Sequence, residues 1–562
     1  MWKKIENYYW TLKYLKKEQV GYLMKNRLEH GKKAVTSLPA PAAAPLPLWM
    51  EELDEDADYL NRFSLEELLS GTVTLLHESG RPGGTDWKED SKSHLWNFNL
   101  HYLEFLIPLA AAWRRSREQT YYECFRRYVR RWILDNRKGS GDGWHPYTIS
   151  LRLTNLWICM DGFGEVFEAD EEFLQELQNS MYAQYCHLQK KLELHLLGNH
   201  YFENLKAVLL GSLYFQEADV YKEYKKKLEQ EIREQILPDG VHYERSMMYH
   251  KIILEDLLRT ARAMEAFGKT VKPPLIKVFQ KMADAAYSLE EGMGQTPLFN
   301  DSGDNVARPV GGLLRALGKW FGIVPEEQTA FASAGYYCLK DEKKKLVFDA
   351  GEIAPDYMPG HGHCDGLSFE LAWMGRPLFV NGGTGQYQGE LRSYFRSTMA
   401  HNTVVLEGEE QSDCWGEHRV GRRIRQVSGS SDGRQVKGSL VTCTGRSQSR
   451  SIRFDKDGVV ICDQVSGQAD SYLHLAPEYE YVQQGEKIQV LDLEHKKRVI
   501  CEICLEEKDR QEIYQNGKIT SYAPEFGLIR QAQVLKISWE GDGGEHRVLL
   551  RFPDAAEEGF MQ

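Results

Sequence analysis

The chain has 562 residues, of which 42% are hydrophobic and 27% charged, and its formal charge at pH 7 is −12. That length exceeds one compact core and implies two to four domains, with the composition of an ordinary soluble globular protein. No basic domain and no nucleic-acid motif is present, which excludes nucleic acid as a partner, and no apolar run is long enough to span a membrane.

The first 28 residues, MWKKIENYYWTLKYLKKEQVGYLMKNRL, have early Lys but neither an apolar signal core nor a small-residue cleavage site. The expectation is therefore a cytoplasmic protein, with export by an unconventional route left open. The mixture of Lys, Tyr, Trp and Leu suits an amphipathic helix packed on its own protein. It would also suit peripheral contact with an anionic membrane surface. Residues 38–48, LPAPAAAPLPL, read as a stiff extended connector that ends this N-terminal segment at about residue 48.

From 49 to 328 helical patterns follow one another. LHYLEFLIPLAAAWRR, FENLKAVLLGSLYF and HKIILEDLLRTARAMEAF carry apolar residues at helical spacing. YKEYKKKLEQEIREQI carries opposite charges three or four apart, as a solvated helix face does. This helix-loop-helix rhythm predicts a toroid of helical hairpins. From 329 to 562 the pattern turns to short β runs such as LVFDAG, LSFELAW, PLFVNGG and NTVVLEG. Asp432-Gly433, Asp457-Gly458 and Asn516-Gly517 each predict a hairpin. Helices first and strands second make an α+β multidomain chain. The ten Cys are too scattered for a disulfide framework, and the CxxC at Cys501 and Cys504 reads as strand core.

Three polar clusters stand out from this scaffold. In GNHYFEN, Asn199 is placed to cap the following helix, and His200 and Glu203 share a helix face. In DGVHYERSMMYH, seven polar or titratable groups (His242, Tyr243, Glu244, Arg245, Ser246, Tyr249 and His250) are expensive to bury unless paired, which favours a ligand cleft. In PGHGHCD, an extended chain would point His361, His363 and Asp365 to one face, an arrangement shared by metal ligands and by satisfied surface histidines. His401 opens a further apolar strand. Trp96 to Tyr102 and Trp144 to Arg152 mix aromatic and polar groups, as sugar subsites and packed helix ends both do. Because the chain as a whole is acidic, a polyanionic ligand would need a locally basic cleft.

GNHYFEN, DGVHYERSMMYH, HGHCDGLSFELAWMGRPLFVNGGTGQY and RSTMAHNTVV occur in this order across the helix-to-strand switch. Together they resemble the heparinase II/III family of polysaccharide lyases over roughly residues 95 to 420. The resemblance implies an incomplete (α/α) toroid followed by an antiparallel β-sandwich, with the active site between them. It implies β-elimination on a uronate-containing acidic polysaccharide or oligosaccharide. Such a reaction needs donors to neutralise the uronate carboxylate, a base for the C5 proton and an acid for the leaving O4. By resemblance Asn199 and His200 are the donors, with Glu203 orienting them. Tyr249 is base, acid or both, and Tyr243 is the competing tyrosine. His361 is a second base or a carboxylate partner. An unperturbed Tyr titrates near about 10, so as a base Tyr249 would need positive charge from His250, Arg245 or His361. In metal-binding members a His, an Asp and a His hold a structural zinc. The matching positions are His363, Asn381 and His401, where an amide replaces the carboxylate.

Two rival readings follow from the same residues. A toroidal glycoside hydrolase would use two carboxylates from Asp239, Glu244, Asp301 and Asp304. A catalytically silent glycan-binding protein of a surface-polysaccharide pathway would bind without turnover.

Overall fold

The computed structural model describes residues 2–28, 39–485, 487–495 and 498–552. The first residue of the Pro/Ala connector, Leu38, lies outside the described residues. Among the described residues, no helix is long and apolar enough to cross a membrane.

Four helical hairpins build an open ring. They are Ile107–Ser116 with Gln119–Asp135, Pro146–Phe163 with Glu171–Lys190, Gly198–Tyr214 with Ala218–Gln235, and Met247–Ala266 with Pro273–Glu290. The first member of each pair packs on its counterparts and makes the inner layer, and the second members wrap outside. Sequence decides which layer a helix joins. Gly198–Tyr214 is apolar around most of its circumference and is buried almost throughout, whereas Ala218–Gln235 buries one stripe and turns its Lys and Glu outward. Val310–Phe321 packs against the short helix Glu51–Asp54 and bridges the ends of the ring. There the buried carboxylate of Asp54 accepts from Arg259 at 2.8 Å and Arg308 at 2.9 Å.

The connector does not act as a free spacer. Ala44 N donates to Tyr214 O at 2.8 Å, Ala40 N to Asn179 Oδ1 at 2.8 Å, and Leu46 and Leu48 are buried against the ring. The N-terminal helices Trp2–Tyr14 and Lys17–Leu28 also pack on the protein, touching both halves of it.

The second half is an antiparallel sandwich. A five-stranded meander runs from Ala330–Phe331 to Arg376–Phe379 in sequence order. It faces a ten-stranded sheet built around two long strands, Gly458–His474 and Val534–Arg551, paired along their length with a bulge after Gln464. At Gly438 a Cβ would lie 2.5 Å from Leu367 Cδ2, so only glycine lets the two sheets approach there. Asp432-Gly433 and Asp457-Gly458 turn hairpins as expected. Asn516-Gly517 does not. The strand before it, Arg510–Tyr514, joins Val534–Arg551, while Ser521–Glu525 pairs with Leu528–Gln531. The long strand offers Arg510–Tyr514 a distant edge to pair with, and that outweighs the local turn signal.

Candidate active site

The ring and the sandwich enclose an open cleft of about 1230 Å3. The toroid contributes Tyr102, Tyr147, Asn199, His200 and Tyr249 to its lining, and the β half contributes His361, Tyr387 and His418.

Glu244 ties the two walls together. Its Oε1 accepts the backbone N–H of Asn199 at 3.0 Å, and its Oε2 contacts His361 Nδ1 at 2.5 Å. Burial alone would raise its pKa, but His361, His242 and the Asn199 amide outweigh burial and hold it below the ordinary carboxylate value. An anion at the first turn of a helix gains from the unpaired N–H groups there. This approach requires Gly198, whose φ is +59° and whose Cβ would meet Met358 Cε at 2.6 Å and Glu244 Oε1 at 2.9 Å. The preceding Leu197 also has positive φ, so the helix is entered through two left-handed residues rather than through a side-chain cap. Asn199 was expected as that cap. It sits instead inside the first turn, with its amide among the cleft-lining groups.

Beside this pair stands Tyr249. Its hydroxyl is 2.7 Å from Tyr387 Oη and 3.2 Å from His361 Nε2. The Tyr249 and His361 rings are stacked at 4.2 Å and 15° from parallel, so the phenol oxygen meets Nε2 from above the ring rather than along its lone pair. Burial, followed by Tyr387, Tyr147 and Asp301, pushes the Tyr249 pKa well above its usual value and keeps the phenol neutral. Across the cleft, His200 Nδ1 is 2.9 Å from Glu193 Oε1, which leaves Nε2 free of that contact. Burial disfavours a charged His200, but Glu193 outweighs it and raises the pKa.

Other expected site residues are committed to different partners, and of these only Glu203 lines the cleft. Glu203 orients neither Asn199 nor His200. It pairs with Lys206 at 2.5 Å, and Lys206 also reaches Asp256, forming a buried cluster between two inner helices. His250 faces away, with Nε2 at 3.0 Å from Met282 O and its pKa lowered by burial to about 4. Arg245 donates to Ala334 O at 2.9 Å, and Tyr243 is buried near Tyr357. Neither lines the cleft. Of the three expected sources of positive charge for Tyr249, only His361 is adjacent. In the two aromatic stretches, Phe98, Asn99, Tyr102 and Tyr147 reach the cleft, whereas Trp96, Trp144 and Arg152 are buried packing.

Residues 361–365 are not a strand, and their side chains do not share a face. His361 enters the cleft, while His363 turns behind it, with Nε2 at 2.8 Å from Asp301 Oδ1 and Nδ1 at 3.3 Å from His401 Nε2. Asp301 is also gripped by the guanidinium of Arg392, whose Nη2 donates at 2.8 Å. Asn381 Oδ1 accepts the Asn402 amide at 3.1 Å, and its buried Nδ2 has no partner. This set does not fit zinc. Asn381 offers no anionic donor, and the nearby carboxylate Asp301 contacts the opposite nitrogen of His363 and is already bound by Arg392. Two other groups bring three ligand-type side chains within 4.8 Å of one another, Asp492 with Glu494 and His495, and Glu506 with Asp509 and His546, and both lie outside the cleft.

The cleft is not the locally basic groove expected for a polyanionic ligand. Its lining Lys and Arg are paired with carboxylates apart from Arg419. Of its lining histidines, His77 and His94 contact carboxylates, burial lowers the pKa of His195 and takes His418 to about 4, and Glu193 outweighs burial to raise that of His200. The hydrolase carboxylates fare no better. Glu244 and Asp301 are committed as described, Asp239 accepts the Ala334 amide at 2.9 Å, Asp304 accepts the Thr296 amide at 3.2 Å, and none lines the cleft.

Sequence reasoning missed Glu193 and Tyr387 as members of the site. Tyr387 lies within the GTGQY segment and had no assigned role. Glu193 lies in the loop between two helices, seven residues before His200, so no single periodic element contains both.

Residues 77–330 match the family model described as heparinase II/III N-terminus, and residues 323–548 match heparinase II/III-like, C-terminal. A heparin-sulfate lyase of Bacteroides thetaiotaomicron is 23% identical over 445 residues, 68% of this chain and 63% of the relative. One of Pedobacter heparinus is 22% identical over 373 residues, 58% of this chain and 55% of the relative. These alignments therefore span less than two thirds of either relative. The crystal structure of heparinase III superposes with a TM-score of 0.69 at 18% identity, covering 95% of this chain and 90% of that one. A mutant of the heparan sulfate lyase HepC from Pedobacter heparinus superposes with a TM-score of 0.58 at 16% identity, covering 95% and 88%.

Proposed function

The chain belongs to the heparinase II/III family, and from that premise we propose that it cleaves a uronate-containing glycan by β-elimination. The observation that carries the reading is Glu244, which joins the Asn199 end of one wall to His361 on the other. With Nδ1 held by Glu244, His361 keeps Nε2 for the substrate and acts as the base. Tyr249, kept neutral by burial, acts as the acid. Asn199 and a protonated His200 neutralise the uronate carboxylate and so make the C5 proton removable.

The proton account closes. The C5 proton passes to His361 Nε2, the C5–H electrons form the C4–C5 double bond, and the C4–O4 bond breaks. O4 takes the phenolic proton of Tyr249. Exchange with water in the open cleft then removes the proton from His361 Nε2 and returns one to the Tyr249 phenolate, which resets both groups. No step passes through a metal, and the His363, Asn381 and His401 group serves as a hydrogen-bonded strut.

The paired state of Lys206, Arg259, Arg308 and Arg62 supports a substrate with spaced carboxylates rather than one densely sulfated. In this respect the reading departs from the heparin-sulfate named for the curated relatives.

The test is ultraviolet absorbance on a panel of uronate polysaccharides, beside Tyr249→Phe. Rising absorbance from an unsaturated uronate, reduced by roughly 10²–10⁴-fold in the variant, is the expected result for loss of a general acid. New reducing ends without absorbance would instead establish hydrolysis, and binding without turnover would establish the silent binder.

A further inference from the structure

The N-terminal helices lie outside both family matches, yet they line the cleft through Thr11, Leu15, Gln19 and Leu23. They hold both of its lips. Gln19 is 2% exposed, and its Nε2 donates to His195 O at 3.3 Å on the toroid and to Tyr357 O at 3.2 Å on the β half. Each of those residues stands four positions before a site residue, Asn199 and His361 respectively. Lys16 reinforces the bridge, with Nζ at 2.7 Å from Glu234 and 3.8 Å from the Tyr357 ring centre. Further along, Trp415 Nε1 donates to Thr11 Oγ1 at 3.2 Å, and Tyr8 packs on the Trp415 ring at 4.7 Å.

A segment that hydrogen-bonds to both lips spans the gap between them at that end of the cleft. We propose that this helical pair closes one end of the cleft and makes the enzyme exolytic, so that it takes a glycan by its terminus and releases short unsaturated fragments. This rests on the β-elimination reading and adds the mode of action to it. Gln19 is in this view a positioning residue, since one amide fixes the spacing of the two catalytic segments.

The experiment follows product size and solution viscosity together with absorbance on the polysaccharide that gives the strongest signal. The smallest unsaturated fragment should appear first, with viscosity falling only in proportion to material released. In Lys16→Ala/Gln19→Ala the early products should lengthen, and Gln19→Asn is the milder variant should the double change prevent folding. Mid-length products and a steep early loss of viscosity in the unmodified enzyme would overturn exolysis and leave elimination standing. Unchanged product size in a folded, active variant would overturn the role of the helices. Smallest-size fragments lacking absorbance would overturn elimination alone, and no cleavage of any glycan would overturn both.

Discussion

His361 and His363 leave the same loop in opposite directions, and the layers they enter differ in what water can reach. In front, His361, Tyr249 and Tyr387 border an open cleft, with Glu244 buried behind them, and the four are joined by contacts of 2.5–3.2 Å. Behind, His363, His401, Asp301 and Arg392 are all at most 1% exposed, and every one of them is committed to a protein partner. Burial lowers both rear histidines to about 4 and fixes them as neutral hydrogen-bonding groups. The same residue type is therefore a chemical group in one layer and a strut in the other. Accessibility and partners decide which.

The rear layer breaks most severely at Asp301. Asp301→Asn leaves the Arg392 charge buried without its anion, and loss of one partner of such a pair typically costs about 3–5 kcal/mol. A fall of that size in denaturant-melt stability is expected, and loss of activity should follow because Arg392 Nη2 also donates to Gly360 O at 3.1 Å, next to His361. A variant of unchanged stability would mean that the pair is not the strut described.

Glu370 offers a change in the opposite direction. Its Oε1 accepts the amides of Leu298 and Asn381, and burial raises its pKa to about 8. A group whose folded pKa is raised stabilises the fold below its unfolded value of about 4.3, and that contribution is lost as pH rises towards 8. Glu370→Gln mimics the protonated acid and keeps the acceptor oxygen. It should be nearly neutral at pH 5 and gain on the order of 2–4 kcal/mol at pH 8–9. Equal melting curves for the two proteins at both pH values would refute the assignment.

The two layers also explain how much could be read in advance. Apolar periodicity gave the helical half and the strand half, because burial of one face is a local property of sequence. GNHYFEN and HGHCD drew attention to the right segments, since polar clusters beside apolar runs need partners. Direction was not legible. Period-two alternation put His361 and His363 on one side, but the loop reverses between them, and Gly362 lies where a Cβ would meet Ile353 O at 2.7 Å. Partners distant in sequence were not legible either. Glu244 meets His361 across 117 positions and Gln19 meets Tyr357 across 338, and no local spacing reports such contacts.

The smallest effect expected separates the front layer from its own support. Glu193 is 1% exposed and holds His200 at 2.9 Å, with Asn204 donating to its other oxygen at 3.0 Å. Burial favours a neutral His200, and the Glu193 charge reverses that preference. If protonated His200 neutralises the uronate, activity holds while pH stays below the raised pKa and falls as pH passes it. Glu193→Gln removes the charge and keeps the shape, so the alkaline limb of kcat/KM should move to lower pH. At pH 6 the variant should approach the unmodified enzyme, and at pH 8 it should lose about tenfold, equivalent to about 1.4 kcal/mol. A uniform loss at all pH values would show that Glu193 only positions the ring. An unmoved limb would show that the proton on His200 is not the one that matters, and the neutralising role would then fall to Asn199.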